Sequence, residues 1–78
     1  MRALITGATS GIGKAFALLL SQRGFDLILA SRNTAKMRKL QKILPTHVDI
    51  VTVDLTKEAD CYHLYETVKD TPIDLVIN

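Results

Sequence analysis

The sequence predicts an α/β fold in which a doubly wound parallel sheet follows the element order βαβαβαβ. Short apolar runs alternate along the chain with stretches that have helical periodicity. The first apolar run leads into a glycine-rich turn and then into a helix-like stretch, which is the order of a strand–turn–helix unit. No repeat, low-complexity run or linker interrupts this alternation, so the 78 residues are expected to form one small domain.

The predicted strands are the four apolar runs, at residues 3–6, 26–30, 48–53 and 73–77. Each is largely apolar on successive residues rather than on alternate ones. That pattern is typical of strands buried on both faces of a parallel sheet. Asp49, near the start of the third run, is an exception to it.

Three predicted helices connect these strands, and residues that cap or stop helices mark their ends. In chain order they are Ile12–Arg23, a second from Asn33 or Thr34 up to Pro45, and a third from a cap at Thr56 up to Thr71. Each has an apolar stripe that we expect to face the sheet. The stripes are Ile12, Ala15, Phe16, Leu19 and Leu20 in the first helix, Met37, Leu40, Ile43 and Leu44 in the second, and Cys61, Leu64, Tyr65 and Val68 in the third.

Right-handed crossovers then predict the strand order 3-2-1-4. The first two helices cover one face of the sheet and the third covers the other. Because the strand order reverses between strands one and four, a ligand is expected there, outside the carboxyl ends of the strands. The fourth strand forms an open edge.

The turn at residues 6–13 is the first candidate site. Glycines at 7, 11 and 13 let the backbone turn sharply and let an anion approach without meeting a Cβ atom. The N–H groups at the start of the following helix have no intrahelical partner, and the helix dipole adds positive potential there. The turn therefore predicts a bound phosphate group, held by Gly7, Thr9, Ser10, Gly11, Ile12 and Gly13.

The spacing of these glycines distinguishes between known phosphate-binding turns. It matches neither G-x-G-x-x-G nor the Walker motif, because Ala8 and Ala15 stand where the latter needs a glycine and a hydroxyl. The octet resembles the T-G-x-x-x-G-x-G turn of the short-chain dehydrogenase/reductase family. Ser10 stands where the extended branch of that family has its second glycine, so the non-extended branch fits better. The resemblance implies a Rossmann-like fold, a dinucleotide cofactor and an oxidoreductase that acts on a carbonyl or alcohol substrate.

This resemblance spans all 78 residues but only the front part of a family domain. The family's catalytic Ser, Tyr and Lys are absent, so no catalytic residue is assigned. Tyr65 and Lys69 imitate the family's Y-x-x-x-K pair, but they precede strand four, whereas the family places that pair after strand five. We therefore expect residues 1–78 to be the N-terminal cofactor-binding part of a Rossmann-fold domain, truncated after the fourth strand. A small-molecule substrate would bind only in a full-length parent.

Three further polar segments end predicted strands and should share the carboxyl edge of the sheet with the turn. They are Ser31–Arg32–Asn33, Asp54–Leu55 and Asn78. The usual NAD-binding acid at the end of strand two is missing, and Arg32 instead offers charge-assisted bonds to a ribose 2′-phosphate. A solvated loop arginine is the plainer alternative. The missing acid favours NADP as the cofactor.

The resemblance also implies roles for the remaining segments of this edge. Arg32 and its neighbour Asn33 look like the pair that holds the 2′-phosphate in NADP-preferring members. Asp54–Leu55 resembles the acidic–aliphatic pair that reads the adenine edge, although an Asp before a helix also favours the helix dipole. Asn78 resembles the first residue of the family's N-N-A-G segment.

Composition limits the remaining functional classes. The chain is 47% hydrophobic and 23% charged with a net charge of +2, which indicates a globular protein and gives no support for nucleic-acid binding. The lone Cys61 allows no disulfide framework, and no run approaches a membrane span, so a cytoplasmic location is expected. A non-catalytic nucleotide-binding or self-assembling module stays open as a second interpretation, because the fourth-strand edge could pair two copies in a homo-oligomer.

Overall fold

The computed structural model describes all 78 residues, and it contains four strands and three helices in strict alternation. In chain order they are β1 (Arg2–Thr6), α1 (Gly11–Gln22), β2 (Asp26–Ser31), α2 (Thr34–Ile43), β3 (Val48–Thr52), α3 (Glu58–Val68) and β4 (Leu75–Ile77). The predicted order βαβαβαβ is therefore confirmed.

All four strands form one parallel sheet in the order β3-β2-β1-β4, as predicted. Thr6 at the end of β1 is aligned with Ala30 of β2, and Ser31 is aligned with Thr52 of β3. On the other side of β1, Ile5 is aligned with Ile77. This register brings the polar segments that follow the strands to a single edge of the sheet, in a partial Rossmann-like arrangement.

Two apolar cores lie on opposite faces of the sheet because successive strand residues point to opposite sides. One core joins α1 and α2 to the sheet and is made by Ala3, Ile5, Ala8, Ala17, Leu20, Leu27, Leu29, Met37, Leu40, Leu44 and Val48. The other joins α3 to the sheet and is made by Leu4, Ile28, Ala30, Val51, Val53 and Leu64. The predicted distribution of helices, two on one face and one on the other, is thus correct.

The predicted buried stripe of α1 is wrong in most of its members. Ile12 is 76% exposed, and Phe16 and Leu19 are also exposed, whereas Leu20 is buried as expected. The face that meets the sheet carries Gly13, Ala17, Leu20 and Ser21. Three of these four side chains are small, which lets the helix pack closely on the strands, and Leu20 is the only large apolar side chain among them.

Ser21 is buried on this contact face without an unpaired polar atom. Its hydroxyl lies 2.6 Å from Thr46 Oγ1, and the Thr46 hydroxyl donates in turn to the Phe25 carbonyl oxygen at 2.6 Å. This chain of bonds joins α1 to the segments that flank β2 and β3. A polar residue in the helix interface is therefore satisfied by its neighbours.

The start of α2 agrees with the sequence, and its buried face agrees in part. Asn33 is the N-cap, and its side-chain oxygen accepts a hydrogen bond from the Lys36 N–H at 3.0 Å. Met37, Leu40 and Leu44 are buried as predicted. Ile43 is 66% exposed, because it lies on a side of α2 that does not contact the sheet.

The predictions for α3 are largely wrong. The residue at the N-cap is Lys57 rather than Thr56, and the Thr56 hydroxyl instead donates to Asp54 Oδ1 at 2.6 Å. Of the predicted stripe, only Leu64 is buried, Val68 is half-buried, and both Cys61 and Tyr65 are exposed. This helix covers its face of the sheet alone, so only one row of its side chains has anything to pack against.

The strands are close to their predicted bounds. The third strand ends at Thr52 rather than Val53, and the fourth begins at Leu75 rather than Ile73. The short β4 pairs only with β1, and Val76 on it is 59% exposed. No helix of the chain is both long enough and apolar enough to cross a bilayer.

Candidate cofactor-binding site

The turn after β1 is folded back on itself and fixed to the neighbouring strand. The Gly7 N–H donates to the Ala30 carbonyl oxygen of β2 at 3.0 Å. Gly7 has φ +66°, a left-handed conformation that a side chain would strain. The Gly7 carbonyl oxygen accepts from both the N–H (3.2 Å) and the hydroxyl (2.9 Å) of Ser10. The turn is therefore held in one shape before any ligand arrives.

Gly13 lets α1 begin directly against this turn. A Cβ atom at Gly13 would overlap the Gly7 carbonyl oxygen and lie 2.9 Å from the Gly7 carbonyl carbon. At Gly11, by contrast, a Cβ atom would meet nothing within 4 Å. The fold thus requires glycine at 13, while the space beside residue 11 is open to a ligand.

The first turn of α1 presents unpaired N–H groups. Ser10 is the N-cap, but its hydroxyl bonds to Gly7 and makes no capping bond. Lys14 is the first residue to donate into the helix, to the Ser10 carbonyl oxygen at 2.8 Å, and Gly11, Ile12 and Gly13 donate to no backbone oxygen. No acidic side chain lies in this turn. The helix start therefore offers several donors and a positive dipole end to an anion.

Two cavities flank the turn and share Gly7, Ser10 and Leu55, so together they form one cleft along the carboxyl edge. The cavity on the β2–β3 side has a volume of about 430 Å³ and is lined by Gly7, Thr9, Ser10, Ala30, Ser31, Arg32, Val53, Asp54, Leu55 and Thr56. The cavity on the β1–β4 side has a volume of about 400 Å³ and is lined by Thr6, Gly7, Ser10, Ile12, Gly13, Leu55, Ile77 and Asn78. The cleft thus joins polar segments from the ends of all four strands.

The segment after β2 is tied to the turn by hydroxyl groups. Thr9 Oγ1 and Ser31 Oγ lie 3.1 Å apart, and Ser31 Oγ also accepts from the Asn33 N–H at 3.2 Å. Arg32 is exposed, lines the cleft and forms no ion pair. Asn33 lies at the same corner but lines neither cavity, because its side-chain oxygen caps α2.

Asp54, after β3, is held by the loop that follows it. Its Oδ1 atom accepts from the Thr56 hydroxyl at 2.6 Å and from the Thr56 N–H at 3.0 Å. These two bonds, helped by the nearby charges of Arg32 and Lys57, hold the pKa of the Asp54 carboxyl below its usual range. The Asp54 N–H donates to Asp60 Oδ2 at 2.6 Å. Asp54 is therefore an ionised acceptor of fixed orientation at neutral pH.

Asn78 closes the other end of the cleft. The Thr6 hydroxyl donates to Asn78 Oδ1 at 2.6 Å, which joins the ends of β1 and β4. The Asn78 side chain is exposed and lines the β1–β4 cavity with Ile12. The predicted site residues therefore lie along one cleft, except that Gly11 and Asn33 lie beside its walls rather than in them.

Several residues of the cleft were given no binding role in the sequence analysis, although Thr6 and Ser31 belong to segments that it placed at this edge. Thr6, Ser31 and Thr56 hold the side chains that were predicted, and Ala30 and Val53 form part of the wall. Their positions next to predicted strand ends were the available signal.

Nowhere in the chain do three or more His, Cys, Asp or Glu side chains form a group that could hold a metal ion.

Comparisons with known proteins show that this chain is similar to one family of oxidoreductases. The family model described as short chain dehydrogenase matches residues 1–78. A very-long-chain 3-oxoacyl-CoA reductase of Vanderwaltozyma polyspora is 39% identical over 83 residues, which cover 96% of this chain and 23% of that protein. An uncharacterized oxidoreductase of Staphylococcus epidermidis is 36% identical over 78 residues, which cover 97% of this chain and 34% of that protein.

Solved structures agree with these relatives. A short-chain dehydrogenase from Sphingobium yanoikuyae, in complex with NADPH, has a TM-score of 0.84 and 31% identity to this chain. The match covers 96% of this chain and 32% of that one. The chain thus spans between about a quarter and a third of the length of the proteins it matches. On the glycine turn, the sheet order and these matches together, the chain belongs to the short-chain dehydrogenase/reductase family of oxidoreductases.

Proposed function

We propose that this chain is the NADP(H)-binding portion of a short-chain oxidoreductase that acts on a carbonyl or alcohol substrate. The observation that carries the proposal is the cleft itself. It runs along the carboxyl edge from Arg32 to Asn78 and passes the unpaired N–H groups at the start of α1. A dinucleotide is long enough and polar enough to use all of these groups, whereas a single phosphate would use only the turn.

Each part of the cleft has a chemical counterpart in a dinucleotide. The N–H groups at the start of α1, with the Thr9 and Ser10 hydroxyls nearby, suit the pyrophosphate. The ionised Asp54 and the adjoining Leu55 suit the adenine ring, and Ile12 with Asn78 would border the nicotinamide end. When bound, the cofactor donates or accepts a hydride. The residues of this chain bind and orient it.

The choice of NADP over NAD rests on the corner after β2. Arg32 lines the cleft there without an ion-pair partner, and no carboxylate stands at residues 30–33. A ribose 2′-phosphate would supply a directly bonded anion, whereas the hydroxyl of NAD would leave the guanidinium with only the more distant charge of Asp54. The relative from Sphingobium yanoikuyae is itself described as an NADPH complex, which supports the same choice.

The test compares NADPH and NADH binding by fluorescence titration of the purified chain. We expect NADPH to bind more tightly than NADH. Arg32→Gln should weaken NADPH by about 10- to 100-fold, because a charge-assisted hydrogen bond contributes about 1.5–3 kcal/mol, and should leave NADH nearly unchanged. Arg38→Gln is the matched control, since Arg38 is exposed and lines no part of the cleft.

Equal affinities for the two dinucleotides in the unaltered chain would contradict the choice of NADP but not the fold. Failure to bind either would contradict the proposed function.

We also expect no turnover of a carbonyl substrate by these 78 residues, since the family's catalytic residues would belong to the remaining length of a parent protein. Sustained carbonyl reduction would refute that division of roles.

We also propose a cytoplasmic location. The chain has a single cysteine, Cys61, and therefore no disulfide within the chain, which agrees with a reducing compartment.

The second candidate function is a self-assembling, non-catalytic nucleotide-binding module. One observation favours it: β4 is an edge strand whose Leu75 and Val76 side chains are exposed. An open apolar edge pairs readily with another strand. In this case two copies would join their sheets through β4, and the cleft would bind a nucleotide without any reaction.

A further inference from the structure

The first turn of α3 carries a half-buried carboxylate, Asp60, that lines neither side of the cleft. It stands three residues after the N-cap Lys57, where a side-chain oxygen can bond back to the N–H of the N-cap residue. The Lys57 N–H, however, already donates to the Asp54 carbonyl oxygen at 3.0 Å. Asp60 Oδ2 instead accepts from the N–H of Asp54 at 2.6 Å. Asp60 therefore contacts the main chain of the cleft wall and not the cap of its own helix.

This bond fixes the main chain at the point where it leaves the sheet. Val53 still donates its N–H to the Ser31 carbonyl oxygen of β2, at 3.0 Å, and Asp54 is the first residue beyond that bond. Without Asp60, the Asp54 N–H would have no acceptor in the chain. Because an N–H group without an acceptor is costly away from water, the segment would move to regain one. Asp60 thus sets the position of Asp54 and Leu55.

The next residue of α3 makes a second contact with the same segment. The Cys61 thiol donates to the Leu55 carbonyl oxygen at 3.4 Å. Two successive side chains of α3 therefore hold two successive residues of the cleft wall. A thiol is a weak donor, whereas a hydrogen bond to a charged acceptor is strong. We therefore expect Asp60 to contribute most of the positioning.

The segment that is held in this way keeps one acceptor and one donor free. Asp54 Oδ1 is occupied by the N–H and the hydroxyl of Thr56, while Asp54 Oδ2 takes no hydrogen bond from the chain. The Leu55 N–H donates to no acceptor in the chain. Adenine has the complementary pair, an amino donor next to a ring-nitrogen acceptor, whereas hypoxanthine presents a carbonyl oxygen and a ring N–H there. Discrimination between these two bases therefore reports how well the segment is placed.

We propose that Asp60 is a positioning residue that selects the base of the cofactor through its hydrogen bond to the Asp54 N–H. This inference rests on the proposed function and deepens it, because a residue outside the cleft takes part in recognising the adenine ring. Asp60 acts through the main chain and does not itself touch the base. When the bond is lost, Asp54 Oδ2 and the Leu55 N–H no longer lie together in the arrangement that matches adenine.

The experiment compares NADPH with reduced nicotinamide hypoxanthine dinucleotide phosphate by fluorescence titration of the full chain. The unaltered chain should bind NADPH about three- to tenfold more tightly, which is the effect of one or two hydrogen bonds. Asp60→Ala should reduce this preference to less than about twofold, whereas Asp60→Asn, which keeps a side-chain oxygen as acceptor, should retain it. Glu58→Ala is the matched control, because it removes the same charge from the first turn of α3 at an exposed position.

Circular dichroism verifies that each variant is folded. If Asp60→Ala does not fold, Asp60→Glu takes its place. That change keeps the negative charge at the start of α3 but displaces the carboxylate by one methylene group, so it should also lower the preference for adenine. Cys61→Ala should lower it less than either change at Asp60, because it removes only the weaker contact.

The outcomes separate this role from the proposed function. If the unaltered chain binds NADPH and Asp60→Ala keeps its preference for adenine, or weakens both dinucleotides equally, the positioning role is refuted while the proposed function stands. If Glu58→Ala removes the preference as well, the effect belongs to the charge at the helix start and the role is again refuted. An unaltered chain that binds both bases equally also refutes it. If the unaltered chain binds neither dinucleotide, the role and the proposed function fail together.

Discussion

At the scale of single residues, the three glycines of the turn have different physical roles, which their identical residue type in the sequence does not reveal. Gly7 is needed for its left-handed backbone, and Gly13 is needed because a Cβ atom there would overlap the Gly7 carbonyl group. Gly11 is needed for neither reason, since the space beside it is open. The structure therefore explains Gly7 and Gly13 by the fold, and the open space beside Gly11 supports our proposal that this glycine serves the ligand.

This difference predicts opposite effects for the same substitution. Gly13→Ala should lower the free energy of unfolding by about 1–3 kcal/mol, because the methyl group has no room against the turn. Gly11→Ala should leave it within about 0.5 kcal/mol, because a Cβ atom there meets nothing within 4 Å. We propose that the pyrophosphate uses this open space, so the same change should also weaken dinucleotide binding. Urea unfolding measures the first effect and titration with NADPH the second. Equal stability of the two variants would contradict this assignment.

At the scale of elements, the strands and their polar ends could be predicted, while the helix faces could not. Consecutive apolar residues such as Leu27, Ile28 and Leu29 identify a buried parallel strand without further information, and all three are indeed buried. Because parallel strands end at one edge, the sequence alone is enough to place Arg32 and Asp54 together. The contacts of a helix depend instead on how closely it approaches the sheet.

Helix α1 shows why its buried face was not predictable from hydrophobicity. Its large apolar residues Ile12, Phe16 and Leu19 are exposed, while its small residues pack against the strands. The close approach is imposed by the glycine turn, which starts the helix against β1 and β2. A pattern that ranks residues by hydrophobicity alone finds the wrong side, because three of the four buried residues of α1 are small and only Leu20 is a large apolar one.

The packing of α1 predicts that enlarging its small residues is costly on one side only. Ala17 is fully buried, whereas Ala15 on the same helix is exposed. Ala17→Leu should therefore lower the free energy of unfolding by about 1–3 kcal/mol through overpacking. Ala15→Leu makes the same chemical change and should stay within about 0.5 kcal/mol of the unaltered chain. Denaturant unfolding of both variants measures this difference. If Ala15→Leu were the more destabilising change, the buried face of α1 would be the one that the sequence predicted, and the packing described here would be wrong.

At the scale of the whole molecule, the sheet separates charges of opposite sign. Residues 1–48 contain eight Lys and Arg but a single acidic residue, Asp26, while residues 49–78 contain two Lys and seven acidic residues. The first segment forms α1 and α2 on one face, and the second includes α3 on the other. The modest net charge of +2 therefore conceals a basic face, where α1 and α2 carry five Lys and Arg and no acidic residue, and an acidic face, where α3 carries Glu58, Asp60 and Glu66.

We propose that copies of this chain associate through β4, and the response to salt distinguishes this mode from stacking of the basic face on the acidic face. Copies stacked basic face to acidic face would separate at high ionic strength, because the attraction between exposed charges is screened within about 10 Å at 0.1 M salt. Copies joined through β4 would persist, since backbone hydrogen bonds and the exposed Leu75 and Val76 would hold them together. We expect the second mode, so a dimer should be retained in 0.5 M NaCl by sedimentation velocity. Val76→Lys should dissociate the dimer, because a charged side chain at the strand edge blocks pairing. Ile43→Lys is the control: it also replaces an exposed aliphatic residue by lysine, but on α2, and should leave the dimer intact. A dimer that is lost in salt, or that survives Val76→Lys, would show that the β4 edge is not the contact.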